Sequence, residues 1–115
     1  MARRLPNAHR AFVDPRKVGD CLLAFGHREG RYKAAFFFNL GYSGRRWARL
    51  RADLLELAQT ADAVIAERTA YGQKCLTVGL LTGASGRQAE VTVVWIIRRD
   101  EDFPRRVTVV PRGET

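Results

Sequence analysis

The sequence predicts an α+β domain, with N-terminal helices packed on a C-terminal antiparallel β-meander. Two observations carry that prediction. Apolar residues recur at three- and four-residue steps as far as Ile65, and at two-residue steps with β-branched enrichment beyond Tyr71. Glycine and proline fall between these runs without any internal repeat, so the 115 residues read as one domain behind a basic leader over residues 1–10.

Asp14-Pro15 supplies an N-cap and a first helical residue, and the run from Lys17 to Phe25 carries a first helix to Gly26. After the polar link His27 to Gly30, the segment Arg31 to Tyr42 sets Ala34, Phe37, Phe38 and Leu40 at helical spacing, and Gly41 ends it. Ser43-Gly44 then opens the longest helical pattern, marked by Trp47, Leu50, Leu54, Leu57, Ala58, Ala61 and Ile65 and expected to end near Thr69. Arg45, Arg46, Arg49 and Arg51 crowd its first turns, where the helix dipole disfavours cations. An anion held there would offset that cost; a solvated helix face is the plainer alternative.

Three strands follow. Lys74 to Leu81 is the first, and the Thr-Gly-Ala-Ser-Gly-Arg loop turns it back. Ala89 to Arg98 is the second, with Val91, Val93, Trp95 and Ile97 on one face and Thr92, Val94 and Ile96 on the other. Apolar side chains on both faces make it a central strand. Asp100-Glu101-Asp102 and Phe103-Pro104 form the next turn, and Arg105 to Val110 is the third strand, stopped by Pro111.

Charge narrows the partners. The net charge is +8, and 12 of the 20 basic residues but only 3 of the 12 acidic ones lie in residues 1–51. A field concentrated on one half of a small domain favours a polyanion: nucleic acid, an anionic membrane or an acidic protein. Solubility and an arginine-rich composition, 17 of the 20 cations, are the bland reading.

Several classes drop out. Cys21 and Cys75 form no C-x-x-C pair and offer no zinc ligand set, so both read as small buried hydrophobes. No apolar run approaches a membrane span, and the first ten residues lack the apolar core of a secretory signal, which makes a cytoplasmic protein the expectation. Walker, dinucleotide and nucleophile-elbow motifs are missing, and Asp100-Glu101-Asp102 reads as a solvated turn before it reads as a magnesium site. No cofactor or metal is expected. What survives is a basic, metal-independent nucleic-acid site, or none.

The candidate residues follow from that. His9 lies in the leader and reads as bland; His27 sits at a helix-to-helix joint, followed by Arg28, Arg31 and Lys33. An imidazole titrating near neutrality, beside a helix N-terminus that attracts phosphate, has the character of a general base or acid for phosphodiester cleavage. Lys33 breaks an apolar pattern and could stabilise the charge that develops on phosphorus, or simply snorkel from an exposed stripe. Lys74 and Tyr71 flank the start of the sheet. Strand alternation puts Arg106 and Thr108 on one side, where they would line a common cleft.

The runs Leu5-Pro6-Asn7-Ala8, Val13-Asp14-Pro15-Arg16-Lys17, His27-x-x-Gly30-Arg31-x-Lys33-Ala34-x-Phe36-Phe37, Val94-Trp95-Ile96-Ile97 and Val107-Thr108-x-x-Pro111 resemble a family of small bacterial domains of uncharacterised function. The layout is also remotely similar to the Barnase–EndoU–Colicin–RelE superfamily of toxin ribonucleases. That second resemblance implies RNA cleavage by attack of a 2′-hydroxyl on its neighbouring phosphate. His27 would be base or acid, Lys33 and Arg31 the phosphate clamp, and Thr108 the polar residue of the final strand, with Lys74, Arg106, Arg45 and Arg46 as further RNA contacts. Val109-Val110 replace the aromatic that relatives carry before the proline, and the second proton-transfer group is left to Lys74, Tyr71 or the substrate. The partners implied are RNA and an acidic antitoxin or immunity protein. A non-catalytic nucleic-acid-binding module and a basic protein-interaction domain are the alternatives.

Overall fold

The computed structural model describes residues 4–15, 36–42, 47–83 and 86–111. In these segments a helix, α1 (Trp47–Thr60), precedes four strands: β1 (Asp62–Thr69), β2 (Gly72–Thr82), β3 (Gln88–Arg98) and β4 (Pro104–Pro111). The strands form one antiparallel sheet in the order β1-β2-β3-β4, so the meander expected from the alternating pattern is present, with β3 internal.

The long third helix is shorter than its spacing suggests. It stops at Thr60, and residues 62–69, expected as helix, are instead an additional strand. Ala61 and Ile65 continue the helical step, but Val64-Ile65 is β-branched and β2 offers an open edge. Pairing Ala63 with Thr77 and Ile65 with Cys75 buries Ala63 and packs the partly buried Ile65 against the core. At the helix end the Thr60 hydroxyl donates to the Glu56 carbonyl over 3.0 Å, and the Arg4 guanidinium donates to the Thr60 carbonyl.

The helical run ending at Gly41 behaves as its sequence requires. Gly41 has φ 96°, the Tyr42 N–H donates to the Phe37 carbonyl over 3.0 Å and the Gly41 N–H to the Phe38 carbonyl over 2.9 Å. This pair of bonds is a Schellman motif, and the Phe37 and Tyr42 rings supply its hydrophobic contact edge-to-face at 6.3 Å. The first helix expected from Asp14-Pro15 lies, beyond Pro15, outside the described residues.

One face of the sheet builds the core. Cys75, Thr77 and Leu81 of β2, Val91, Val93 and Trp95 of β3 and Val109 of β4 are buried against Leu50, Leu54, Leu57 and Ala58 of α1, with Phe37, Leu40 and Tyr42. Gly79 lets the helix come close: a Cβ there would sit 2.9 Å from a Leu57 methyl. Trp95 Nε1 donates to Thr77 Oγ1 over 2.9 Å, which satisfies the one polar atom of the indole inside this layer. Burial raises the pKa of the Cys75 thiol. Cys21 lies outside the described residues.

The basic leader is docked from Arg4 onward. Leu5 and Val13 are core residues, the Arg51 Nε donates to the Val13 carbonyl over 2.8 Å, and Asn7 donates to the Asp102 carbonyl over 2.6 Å. Phe12 joins the outer edge of β4 as a parallel bridge to Arg105, with its N–H on the Pro104 carbonyl and its carbonyl accepting from the Arg106 N–H. Among the described residues, no helix is long and apolar enough to cross a membrane.

Candidate nucleic-acid interface

The expected pairing of Arg106 with Thr108 fails, and the reason is a β-bulge. Val94 pairs with Thr108 but Trp95 pairs with Arg106, so Val107 is an extra residue on β4. Residues opposite one another in an antiparallel ladder share a face. Arg106 therefore follows Trp95 to the core side, where it is only 7% exposed, while Thr108 follows Val94 to the outer face. Simple alternation was the wrong rule for this strand.

The outer face gathers Lys74, Ile96 and Arg105 in one cross-strand row, with Leu76, Val94 and Thr108 in the next. Lys74 and Arg105 stand two strands apart, roughly 10 Å. Lys74 Nζ lies 3.3 Å from a Glu67 carboxylate oxygen, an exposed ion pair worth little on its own. At the end of this face where β1 turns into β2, a cleft of about 430 Å³ is lined by Phe12, Asp14, Tyr71, Ile96, Arg98, Arg105, Arg106 and Val107. Three guanidinium groups and one carboxylate thus meet two aromatic rings.

The turn before β4 holds part of that cleft in place. Glu101 accepts from Arg105 Nε and Nη2, both at 2.7 Å, and Asp102 accepts from both terminal nitrogens of Arg10 at 2.8 Å. The Arg105 guanidinium lies 5.1 Å from the Phe12 ring centroid and 5.0 Å from that of Phe103. Hydrogen bonding from Arg105 lowers the Glu101 carboxyl below its ordinary range, and Arg10 does the same for Asp102. Arg105 is consequently clamped and its charge largely offset. Arg98 is half exposed, and its ion pair with Glu101, at 4.0 Å, is much longer than the 2.7 Å contact that Glu101 makes with Arg105.

A second cleft of about 320 Å³ lies between α1 and β2, lined by Arg49, Asp53, Glu56, Leu57, Thr60, Leu80, Leu81 and Thr82. Asp53 accepts from the Tyr42 hydroxyl and from Arg49 Nε at 3.3 Å. Burial first, and the bond to Asp53 second, raise the Tyr42 phenol well above its usual range. With two carboxylates against one arginine, this cleft disfavours a polyanion. The arginine-lined one is the candidate site.

Residues 4–113 match a domain of unknown function, DUF6883. The chain belongs to this family. No curated protein matches this DUF6883 chain. Among solved structures, its fold is similar to a chain described as belonging to a contact-dependent growth inhibition toxin–immunity protein complex from Klebsiella pneumoniae 342. That likeness has a TM-score of 0.67 at 19% identity and covers 87% of this chain and 98% of the other. The family resemblance read from the sequence motifs is thereby borne out.

Of the site residues expected for this DUF6883 domain, Lys74 and Thr108 share the outer face, and Arg106 lines the cleft from the core side of β4. His27, Arg31, Lys33, Arg45 and Arg46 lie outside the described residues. Sequence reasoning passed over Phe12, Asp14, Arg98 and Glu101. The acid-to-arginine spacing of four between Glu101 and Arg105 was a usable signal, and the Phe12-Val13 pair ahead of Asp14 was another.

Proposed function

We propose that this domain is a toxin-like, metal-independent endoribonuclease, neutralised by an acidic immunity or antitoxin protein. The observation that carries the proposal is the cleft that sets Arg98, Arg105 and Arg106 beside Tyr71 and Phe12, on a chain of net charge +8. The half-exposed Arg98 fork matches phosphate oxygens and the exposed Tyr71 face matches a base, a combination suited to nucleic acid, while Arg105, held by Glu101, and the buried Arg106 shape the wall behind them. The likeness in fold to a component of a toxin–immunity complex supports the toxin side of this reading, and the charge favours an acidic partner.

In the proposed reaction the substrate 2′-oxygen attacks the adjacent phosphorus while the bond from phosphorus to the 5′-oxygen breaks. His27 takes the 2′-hydroxyl proton or delivers one to the departing 5′-oxygen; Lys74 or Tyr71 performs the other transfer. The products are a 2′,3′-cyclic phosphate and a free 5′-hydroxyl. Lys33 and Arg31 would hold the pentavalent phosphorane, with Thr108, Arg106, Arg45 and Arg46 as further contacts along the strand.

Induced expression without the partner should arrest bacterial growth, and His27→Ala should relieve the arrest while the circular dichroism spectrum stays native. A folded His27→Ala variant that remains equally toxic removes His27 from the mechanism. A second reading, a non-catalytic nucleic-acid-binding module, is favoured by the make-up of the cleft itself, whose arginines and aromatic rings serve binding without any proton transfer. Under it, RNA binding weakens steeply with salt while the RNA stays whole.

A further inference from the structure

Tyr71 is 80% exposed, more than any other large hydrophobic or aromatic side chain among the described residues. It is nevertheless mounted on a constrained turn. Its N–H donates to Thr69 Oγ1 over 3.1 Å, the same hydroxyl donates to the Gly72 carbonyl over 3.2 Å, and Thr69 pairs directly with Gly72 at the end of the β1–β2 ladder. The ring stands at the lip of the cleft that holds Arg98, Arg105 and Arg106. A bare ring held out on a fixed backbone forgoes the apolar burial that would favour a core position, and a tyrosine has only two χ angles to order when a flat partner lands on it.

We propose that Tyr71 is the stacking platform for one unpaired base of the bound strand, so that the substrate class is single-stranded RNA and not A-form duplex. This rests on the nucleic-acid reading of the cleft and narrows it. A base offers its π-face only when it is out of a helical stack, whereas a duplex interior presents phosphates and base edges. The geometry divides the labour: Arg98 at the cleft wall meets phosphate, and Tyr71 one step away meets the base. The aromatic then contributes affinity without reading sequence, because every base has a face to stack. It also gives Tyr71 a role that needs its ring and not its hydroxyl, which leaves Lys74 for the proton transfer.

The test is fluorescence anisotropy with labelled 2′-O-methyl RNA, whose blocked 2′-oxygen keeps the strand intact, as a single strand and as a duplex. The parent protein should bind the single strand in preference. Tyr71→Ala should weaken single-strand binding by about 5- to 150-fold, the range for one lost stack. Tyr71→Phe should stay within about twofold of the parent, and duplex binding should not change for either variant. If the parent binds neither form, the nucleic-acid reading itself fails. If the parent binds RNA and Tyr71→Ala binds equally well, or weakens both forms alike, the stacking role is overturned while that reading survives. Tyr71→Ala that keeps RNA affinity but loses the neutralising protein would make the ring a protein contact and overturn the proposal in the same way.

Discussion

Replacing Thr77 by valine tests whether the core is held by one internal hydrogen bond as well as by apolar packing. Thr77 and Trp95 are both fully buried, and the indole N–H donates to the threonine hydroxyl over 2.9 Å. Valine preserves the shape of the side chain and puts a methyl group where the accepting hydroxyl was. The indole N–H is then left in a dry layer with its desolvation cost unmatched, about 1–3 kcal/mol. At roughly 4 °C per kcal/mol for a domain of this size, Tm should fall by about 4–12 °C. Urea unfolding followed by tryptophan fluorescence measures the loss, and a double-mutant cycle isolates it. In a Trp95→Phe background, which has no N–H to satisfy, Thr77→Val should cost close to nothing, giving a coupling energy of about 1–3 kcal/mol. Equal costs in the two backgrounds, or a Thr77→Val protein within about 0.3 kcal/mol of its parent, would refute the reasoning.

Further consequences follow from other parts of the fold. Gly41→Ala forces a Cβ into a left-handed backbone with φ 96° and should cost about 1–2 kcal/mol in thermal unfolding, whereas Asn39→Ala, exposed in the same turn, should be nearly neutral. Leu5→Ala should cost about 2–4 kcal/mol because Leu5 is 2% exposed; a free leader would make the change silent in the same assay. Glu101 and Asp102 have folded pKa values below their ordinary 4.5 and 3.8, so their contribution is complete above those values and is lost as pH falls through the lowered ones. Glu101→Gln with Asp102→Asn should therefore flatten the acid limb of a stability-against-pH curve, and an unchanged limb would show that these ion pairs do not contribute.

The fold was legible where one pattern dominated. The odd residues of β3, from Val91 to Trp95, announced their burial by strict alternation, and Gly41 announced the end of its helical run. It was not legible where two patterns overlapped. Ala61 and Ile65 satisfy a helical step and a strand step together, and pairing with β2, a tertiary choice, decided for the strand. The bulge at Val107 leaves no mark in composition, since an extra valine in an alternating strand looks like any other, yet it sends Arg106 and Thr108 to opposite faces.

Of the candidate cleft, single lining residues were legible but the arrangement was not: Tyr71 and Arg106 were among the residues singled out, and both line it. Assembly of the cleft depends on contacts between residues far apart in the chain, above all Phe12 against β4 and the Arg10–Asp102 ion pair, which no local spacing encodes. The turn at Asp100-Glu101-Asp102 is the clearest case. Its acids read as a solvating cluster, but two of them anchor arginines, one from the leader and one from the cleft wall.

The most direct measurement is digestion of an end-labelled single-stranded RNA in the presence of excess chelator. The account predicts fragments ending in 2′,3′-cyclic phosphate with the parent protein, and intact RNA with a folded His27→Ala variant. RNA left whole by the parent at concentrations that saturate binding, or cut only when a divalent metal is restored, would contradict it.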